Sequence, residues 1–261
     1  MKYQNVLTEM DGDLLIVTLH WPERQNAMNH QMRVDLMACV QGAETDDAVK
    51  AIVLTGAGEK AFCAGANIPE LEQRTLASEL GPSATLRKDL PTTIERLGKP
   101  TVAAINGYCF GAGLELAMGC TVRVASDNAV LAQPEITLGQ IPGSGGTQRL
   151  YRFVGLGWAM QMVLTGQRID AKTASSIGLV TEVMAPADLL PRAKELARLL
   201  GAQAPIAFAA GRDAVLRSTE TDLLTGIDYE RKLYALCMAT EDNREGLDAY
   251  AEKRPPKYKG R

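Results

Sequence analysis

The sequence predicts an α/β fold, and three observations carry that reading. Short apolar runs recur at strand length, runs with apolar residues at helical spacing stand between them, and Gly, Pro and Asn punctuate the joins. Strands alternating with helices in one chain argue an α/β architecture. Leu14–Leu19 alternates little and is β-branched enough for a buried strand, closed by Trp21-Pro22. Residues 27–40 have helical periodicity, and residues 51–54 read as a strand ended by Thr55-Gly56. Residues 69–92 mix polar, Gly and Pro positions and predict a loop or helix.

Thr101–Ile105 is the next strand, followed by Asn106-Gly107 and by Gly111-Ala112-Gly113, where a helix should begin. Two short strands follow at 121–125 and 129–132, then helices at 145–154, 157–164, 171–177 and 187–200. From Ala204 the strands stop: Leu223, Ile227, Tyr234 and Met238 recur at helical spacing, and a further helix covers 242–253. A helical appendage with more than one apolar face often packs on a neighbouring subunit. The tail from Arg254 to Arg261 is basic and interrupted by proline.

Composition excludes several classes. With 261 residues, 46% hydrophobic and 23% charged, the chain can bury a large core. A net charge of -3 gives no whole-chain case for nucleic acid or an anionic membrane. No apolar run reaches the length of a membrane span, and the N-terminus lacks the pattern of a secretory or transit leader, so a cytoplasmic location is expected. The five cysteines form no C-x-x-C pair and are expected as reduced, packed thiols. Only His20 and His30 offer imidazoles, which weakens any histidine triad or His-rich metal site.

Two glutamates demand an explanation. Glu115 sits in the apolar stretch Leu114 to Met118 after a glycine-rich turn, and Glu135 follows a proline between two apolar runs. A carboxylate among apolar neighbours loses hydration, which raises its pKa and suits it to moving protons near neutral pH. If both face one pocket, they form an acid/base pair able to add or remove water. Two small-residue turns, Ala64-Gly65-Ala66 and Gly111-Ala112-Gly113, would let a ligand approach backbone N–H groups, as in an oxyanion hole. Close helix–strand packing is the competing reading of either turn alone.

Other motifs are weaker. Gly111-x-Gly113 with Glu135 downstream loosely matches a dinucleotide fingerprint, but the glycines do not directly follow the strand Thr101–Ile105. Gly143-Ser144-Gly145 hints at a nucleophile elbow without a suitable histidine, and the stretch lacks the Lys-Ser/Thr ending of a phosphate loop.

Four segments taken in order carry a family pattern: Ala61-Phe62-Cys63-Ala64-Gly65-Ala66-Asn67-Ile68, then Ile105-Asn106-Gly107 through Gly111-Ala112-Gly113-Leu114-Glu115-Leu116-Ala117, then Gln133-Pro134-Glu135, then Ile141-Pro142-Gly143 through Gln148-Arg149-Leu150. Together they resemble the enoyl-CoA hydratase (crotonase) family, and the resemblance runs on to Glu252-Lys253-Arg254, covering essentially the whole chain. It implies a crotonase-like spiral of β-β-α repeats over residues 1–200 and an all-helical trimerisation region over 201–261, assembled as a homo-hexamer of two trimers. It implies further that the N–H groups of Ala66 and Ala112 form the oxyanion hole for a thioester carbonyl. Glu115 and Glu135 match the catalytic acids, and Gly143 matches a glycine whose backbone helps position water.

Coenzyme A would lie along Arg24, Gln25 and Ala27 and against Ala64, Gly65, Asn67 and Ile68, with Tyr234 and Lys253 reaching the nucleotide of an adjacent subunit. The family uses no metal or redox cofactor, since coenzyme A is part of the acyl-CoA substrate; no nucleic-acid or membrane partner is expected. The reaction implied is reversible hydration of a 2-enoyl-CoA in fatty acid metabolism. Isomerases of the family usually keep one acid, so two favour hydration over isomerisation; other acyl-CoA lyases and a non-enzymatic acyl-CoA-binding protein are the remaining readings. Two departures stand out. Ala112 replaces a common glycine, tolerable if its φ is negative, and Asn67 stands where hydratases commonly carry aspartate, keeping hydrogen-bonding size but losing a charge.

Overall fold

A computed structural model describes residues 3–261, the side chain of residue 83 apart. Met1 and Lys2, the start of the N-terminal segment read above, lie outside the described residues. The chain divides into two units, one ending at Ala197 and one beginning at Arg198.

The first unit runs β1 (Val6–Asp11), β2 (Leu14–Leu19), α1 (His30–Thr45), β3 (Ala51–Gly56), β4 (Ala61–Cys63), α2 (Ile68–Glu72), α3 (Leu76–Leu80), α4 (Thr85–Arg96), β5 (Thr101–Ile105), β6 (Tyr108–Phe110), α5 (Ala112–Gly119), β7 (Val122–Ser126), β8 (Val130–Ala132), α6 (Gly146–Thr165), β9 (Ile169–Asp170), α7 (Ala171–Ser176), β10 (Glu182–Met184) and most of α8 (Pro186–Gly201). Two sheets result. One has the order β1-β2-β3-β5-β7-β10, the other β4-β6-β8-β9. From β2 to β10 the larger sheet is parallel, and β1 adds an antiparallel edge.

Successive strands alternate between the sheets: β3 then β4, β5 then β6, β7 then β8. Each pair leads on to helix, which is a β-β-α repeat. The burial pattern follows from this arrangement. β3 and β5 are buried at every position, as expected for parallel strands covered on both faces. β1, on the edge, buries only Val6 fully.

The helices begin where local chemistry allows. The Asn29 side chain accepts the Met32 N–H at 2.7 Å and caps α1, and Asp170 does the same for α7 by accepting from Thr173 at 2.7 Å. Gln25 and Asn26 have positive φ, so the helix expected from residue 27 starts only at His30. α6 is broken by non-helical geometry at Gly155, which reconciles it with the two helices expected at 145–154 and 157–164. Residues 69–92 resolve into α2, α3 and the first part of α4.

The second unit holds the end of α8, then α9 (Pro205–Arg217), α10 (Leu223–Met238) and α11 (Glu241–Glu252). The tail folds back on α11: buried Asp242 accepts the N–H groups of Lys259 and Gly260 at 2.6 and 2.8 Å. Arg254 forks onto Glu245 at 2.6 and 3.0 Å, holding that carboxyl at a pKa of about 2. No residue of α9 or α10 is buried. No described helix is long and apolar enough to cross a membrane. All five cysteines are free thiols, with Cys39, Cys63, Cys109 and Cys120 buried and their pKa values raised by desolvation.

Candidate active site

The smaller sheet assembles the site. β4, β6 and β8 are adjacent and parallel, so their C-terminal ends leave the sheet side by side. From β4 emerges Ala64-Gly65-Ala66, from β6 Gly111-Ala112 and helix α5 with Glu115, and from β8 Gln133-Pro134-Glu135. Ligands of parallel α/β sheets gather at such carboxyl ends. Three segments separated by tens of residues in sequence are thus brought to one edge. The strand Thr101–Ile105 does not lead into these glycines, as expected, but a further short strand not read from the sequence, β6, directly precedes Gly111.

The turn after β4 is pinned by backbone. Met28 pairs with Ala66 in an isolated parallel bridge, Met28 N donates to Gly65 O at 2.8 Å, and Asn67 N donates to Met28 O at 3.1 Å. Ala64 N donates to Gln25 O at 3.0 Å, so the segment Arg24–Ala27 lies alongside the turn. Arg24 and Gln25 are exposed and Ala27 half-buried. The N–H groups of Ala66 and Ala112 donate to no other group among the described residues. Ala112 opens α5 without a positive φ, so its methyl group is accommodated. Asn67 precedes α2 without capping it through its side chain, and Ile68 is exposed.

Glu115 is 2% exposed. Its Oε1 accepts the Ser144 N–H at 2.6 Å and the Gly146 N–H at 2.9 Å, from the loop that leads into α6. Burial raises its pKa, and those two donors, with the Arg149 charge, oppose the rise. Arg149 in turn ties the loop down: Nη1 donates to Ser144 O at 3.1 Å, while Nε and Nη2 fork onto Glu95 of α4, both at 2.9 Å.

Glu135 opens a single 3-10 turn and is half-buried. Desolvation pushes its pKa up to about 7, and the nearby Glu115 carboxylate adds to the rise. The buried Gln133 amide, with its NH2 turned to the carboxyl, donates to both Glu135 oxygens at 3.1 Å. Glycines make this crowding possible. A Cβ on Gly111, whose φ is +49°, would stand 2.7 Å from Glu135 Oε1. A Cβ on Gly146 would stand 3.0 Å from Glu115 Oε1 and 2.8 Å from the Gln133 amide that holds Glu135, so the two carboxyls are close neighbours across Gln133. Two coupled carboxyls in different hydrogen-bonding environments can share and exchange a proton.

Gly143 is exposed, and a Cβ there would meet nothing within 4 Å. Ser144 and Gly146, which orient Glu115, and Gln133 and Arg149 escaped the reading of the sequence as functional positions. The glycine run just ahead of a helix was the available signal for the two amides. Tyr234 lies on α10, 67% exposed, and Lys253 ends α11 with a left-handed φ of 56°; both belong to the second unit. His20 follows β2 and leaves Nδ1 without a partner, and His30 begins α1 and lines a cavity that neither glutamate lines. Among the described residues no three His, Cys, Asp or Glu side chains cluster to hold a metal ion.

Comparison with known proteins agrees with this geometry. A family model described as enoyl-CoA hydratase/isomerase matches residues 9–261. The chain is similar to a short-chain-enoyl-CoA hydratase of Clostridium acetobutylicum, with 39% identity over 97% of each chain. It is also similar to a 2,3-dehydroadipyl-CoA hydratase of Escherichia coli, 42% identical over 95% of this chain and 96% of that one. Among solved structures, an enoyl-CoA hydratase from Bacillus anthracis superposes with a TM-score of 0.91 at 35% identity, covering 99% of this chain and 100% of the other. The spiral of β-β-α repeats, the paired glutamates at one sheet edge and these full-length similarities lead to one conclusion: the chain belongs to the enoyl-CoA hydratase/isomerase family.

Proposed function

We propose that this chain is an enoyl-CoA hydratase, adding water reversibly across the 2,3 double bond of a 2-enoyl-CoA thioester to give a 3-hydroxyacyl-CoA. The observation that carries the reading is the neighbouring pair Glu115 and Glu135 at one sheet edge with two amides, Ala66 and Ala112, that donate to nothing among the described residues. Near-full-length relatives named as hydratases support it.

In this reading the thioester oxygen accepts from the N–H groups of Ala66 and Ala112, which hold the negative charge that develops on it as the enolate forms. Glu115, its Oε1 fixed by two backbone donors, takes a proton from water as the C3–O bond forms. Glu135, kept protonated up to about pH 7 by its burial, gives its proton to C2. The π pair of the double bond becomes the C2–H bond, and the enzyme pair has moved one proton from Glu135 to Glu115. Gly143 would offer its backbone to the water. Hydration leaves the substrate's overall oxidation level unchanged, so the reaction calls for no redox cofactor, and the two carboxyls supply the proton transfers.

Coenzyme A would run along Arg24, Gln25 and Ala27 and past Ala64–Ile68. Tyr234 and Lys253 would meet the nucleotide across a subunit boundary. The unburied faces of α9 and α10 support self-association, for which a hexamer of two trimers is the family expectation. A cytoplasmic setting and a role in fatty acid metabolism complete the proposal. Relatives named for short-chain and for dehydroadipyl substrates leave the acyl group open at the family level.

A panel of 2-enoyl-CoA thioesters tests the reaction by loss of conjugated-enoyl absorbance, with the 3-hydroxyacyl product identified by mass. A product of unchanged mass with a shifted double bond would replace hydration by isomerisation. No turnover of any thioester would overturn the reading altogether.

A further inference from the structure

Helices α1 to α4 line a half-open cavity of about 290 Å3 whose charged lining includes Arg33, Arg74, Arg87, Glu70 and Glu79. The Arg33 side chain is only 5% exposed. Its Nη1 pairs with Glu70 at 3.3 Å, but Nη2 is buried with no partner. Arg87 pairs with Glu79, and Arg74 Nε stands 3.8 Å from the same carboxylate. Three guanidinium groups thus face two carboxylates. One positive charge, one buried donor (Arg33 Nη2) and one buried acceptor (Glu79 Oε1, with Arg74 Nε at 3.8 Å) are left unmatched, and buried unsatisfied groups are costly. Burial and the neighbouring Arg74 lower the Arg33 pKa to about 10, and the Arg87 charge adds to that strain.

The cavity's position relates it to the thioester end of the site. Both of its walls start at the Met28–Ala66 bridge: α1 begins two residues after Met28, and α2 two residues after Ala66. Glu70 and Arg74 stand four and eight residues along the chain from Ala66, Arg74 just beyond the end of α2. Neither Glu115 nor Glu135 lines the cavity, so its occupant is a group at some distance from the reacting carbons. The single unmatched positive charge suits a monoanion with two acceptor oxygens better than a pyrophosphate, and the volume suits a small group better than a nucleotide.

We propose that this cavity binds a carboxylate at the end of the acyl chain remote from the thioester, so that the preferred substrate is a short 2-enoyl-CoA with a terminal carboxylate. This rests on the hydratase reading for the reaction, and on the arginine cavity alone for the substrate class. Arg33 Nη2 donates to one carboxylate oxygen, and Arg74 and Arg87 neutralise the second from the opposite wall.

The test uses the full-length chain and two 2-enoyl-CoA thioesters of equal length, one ending in methyl and one in carboxylate. The carboxylated substrate should have the higher kcat/KM, by about 10- to 100-fold for a charge-assisted hydrogen bond. Arg74→Gln and Arg87→Gln should each reduce that ratio about tenfold, mainly through KM. Arg33→Lys keeps a charge in the buried site and should reduce it less than Arg33→Gln does. These effects do not all depend on the Arg33 variants folding. A ratio near one, or one that no arginine substitution moves, would overturn the proposal.

Coenzyme A phosphates are the other source of an anion, and the same pair made as pantetheine thioesters separates the two. If the arginine variants weaken both coenzyme A substrates equally and leave both pantetheine esters untouched, the cavity holds a phosphate and the proposal fails. If neither substrate is hydrated, the reaction assignment falls instead. Calorimetric Kd values for the saturated acyl-CoA pair then decide the cavity independently, with tighter binding of the carboxylated ligand as the supporting result.

Discussion

The carboxylate pair at the sheet edge and the arginine cavity beside it both bury charge, but they hold it by different means. Glu115 is fixed by main-chain N–H groups of Ser144 and Gly146. Arg33, Arg74 and Arg87 are held by side chains, Glu70 and Glu79, from short helices. Main-chain donors cannot be exchanged by substitution, whereas side-chain partners can. A site built this way keeps its reaction constant while its choice of acyl group changes, which fits relatives named for different enoyl substrates over one fold.

The largest effect should come from the carboxylates themselves. Glu115→Gln preserves shape but cannot take a proton, and kcat for hydration should fall by about 10³- to 10⁴-fold, with Glu135→Gln falling similarly. Because the two act on one proton inventory, the double variant should lose little beyond either single one. Full activity in either variant, measured by enoyl absorbance, would break the two-acid mechanism.

Next comes the backbone cradle. Gly146→Ala would bring a methyl group to 2.6 Å from the Pro142 Cβ and 3.0 Å from Glu115 Oε1, so loop and carboxylate must shift. A loss of about 10²-fold in kcat with a smaller change in KM is expected from such misplacement. Gly143→Ala, with no neighbour within 4 Å of the new methyl, should cost less than tenfold. If the two substitutions cost the same, orientation by the Gly146 amide is not what distinguishes this loop.

A smaller effect separates the regions by pH. In the proposed mechanism hydration needs Glu135 protonated and Glu115 ionised, and dehydration needs the reverse, so both directions require one proton on the pair. kcat/KM in either direction should therefore fall as pH rises past about 7, where Glu135 loses its proton. Arg33, with a pKa of about 10, stays charged across this range, so the preference for a carboxylated substrate should not follow that limb. A preference that changes in step with it would mean that the cavity and the pair are not separate devices.

How much of this was legible in the letters depends on what each residue's neighbours reveal. Glu115 and Glu135 were readable because each is an acid in an apolar setting, and because the segments around them match a family in order. β4 and β6, at three residues each, are too short to show any period, so the sheet edge that gathers the site was invisible even though its turns were not. Arg33 was unreadable for a different reason. Within His30–Thr45 it stands between apolar residues like any surface arginine, yet both it and Asp35 turn inward. Helical periodicity marks which face is apolar, not which polar residue the next helix will cover. Residues 69–92 carried no clear period at all, and every wall of the cavity except α1 comes from there.

The smallest effect concerns stability and has a sign that activity alone would not suggest. Glu135 ionises near 4.3 in an unfolded chain and at about 7 in the fold, so the folded state binds its proton more tightly. The favourable contribution of that proton is fully present below about pH 4.3 and is lost as pH rises through about 7. Above that, the fold bears the cost of an ionised, half-buried carboxylate next to Glu115. Glu135→Gln removes the cost, and at pH 8 it should unfold about 1–2 kcal/mol harder than the parent, after allowance for partial solvent screening. At or below about pH 4 the two should unfold alike. Denaturant titrations at the two pH values measure the difference. A glutamine variant less stable at pH 8 than the parent would show that Glu135 is held by favourable contacts rather than kept there for its reaction, and the sheet edge would then be as side-chain-stabilised as the cavity beside it.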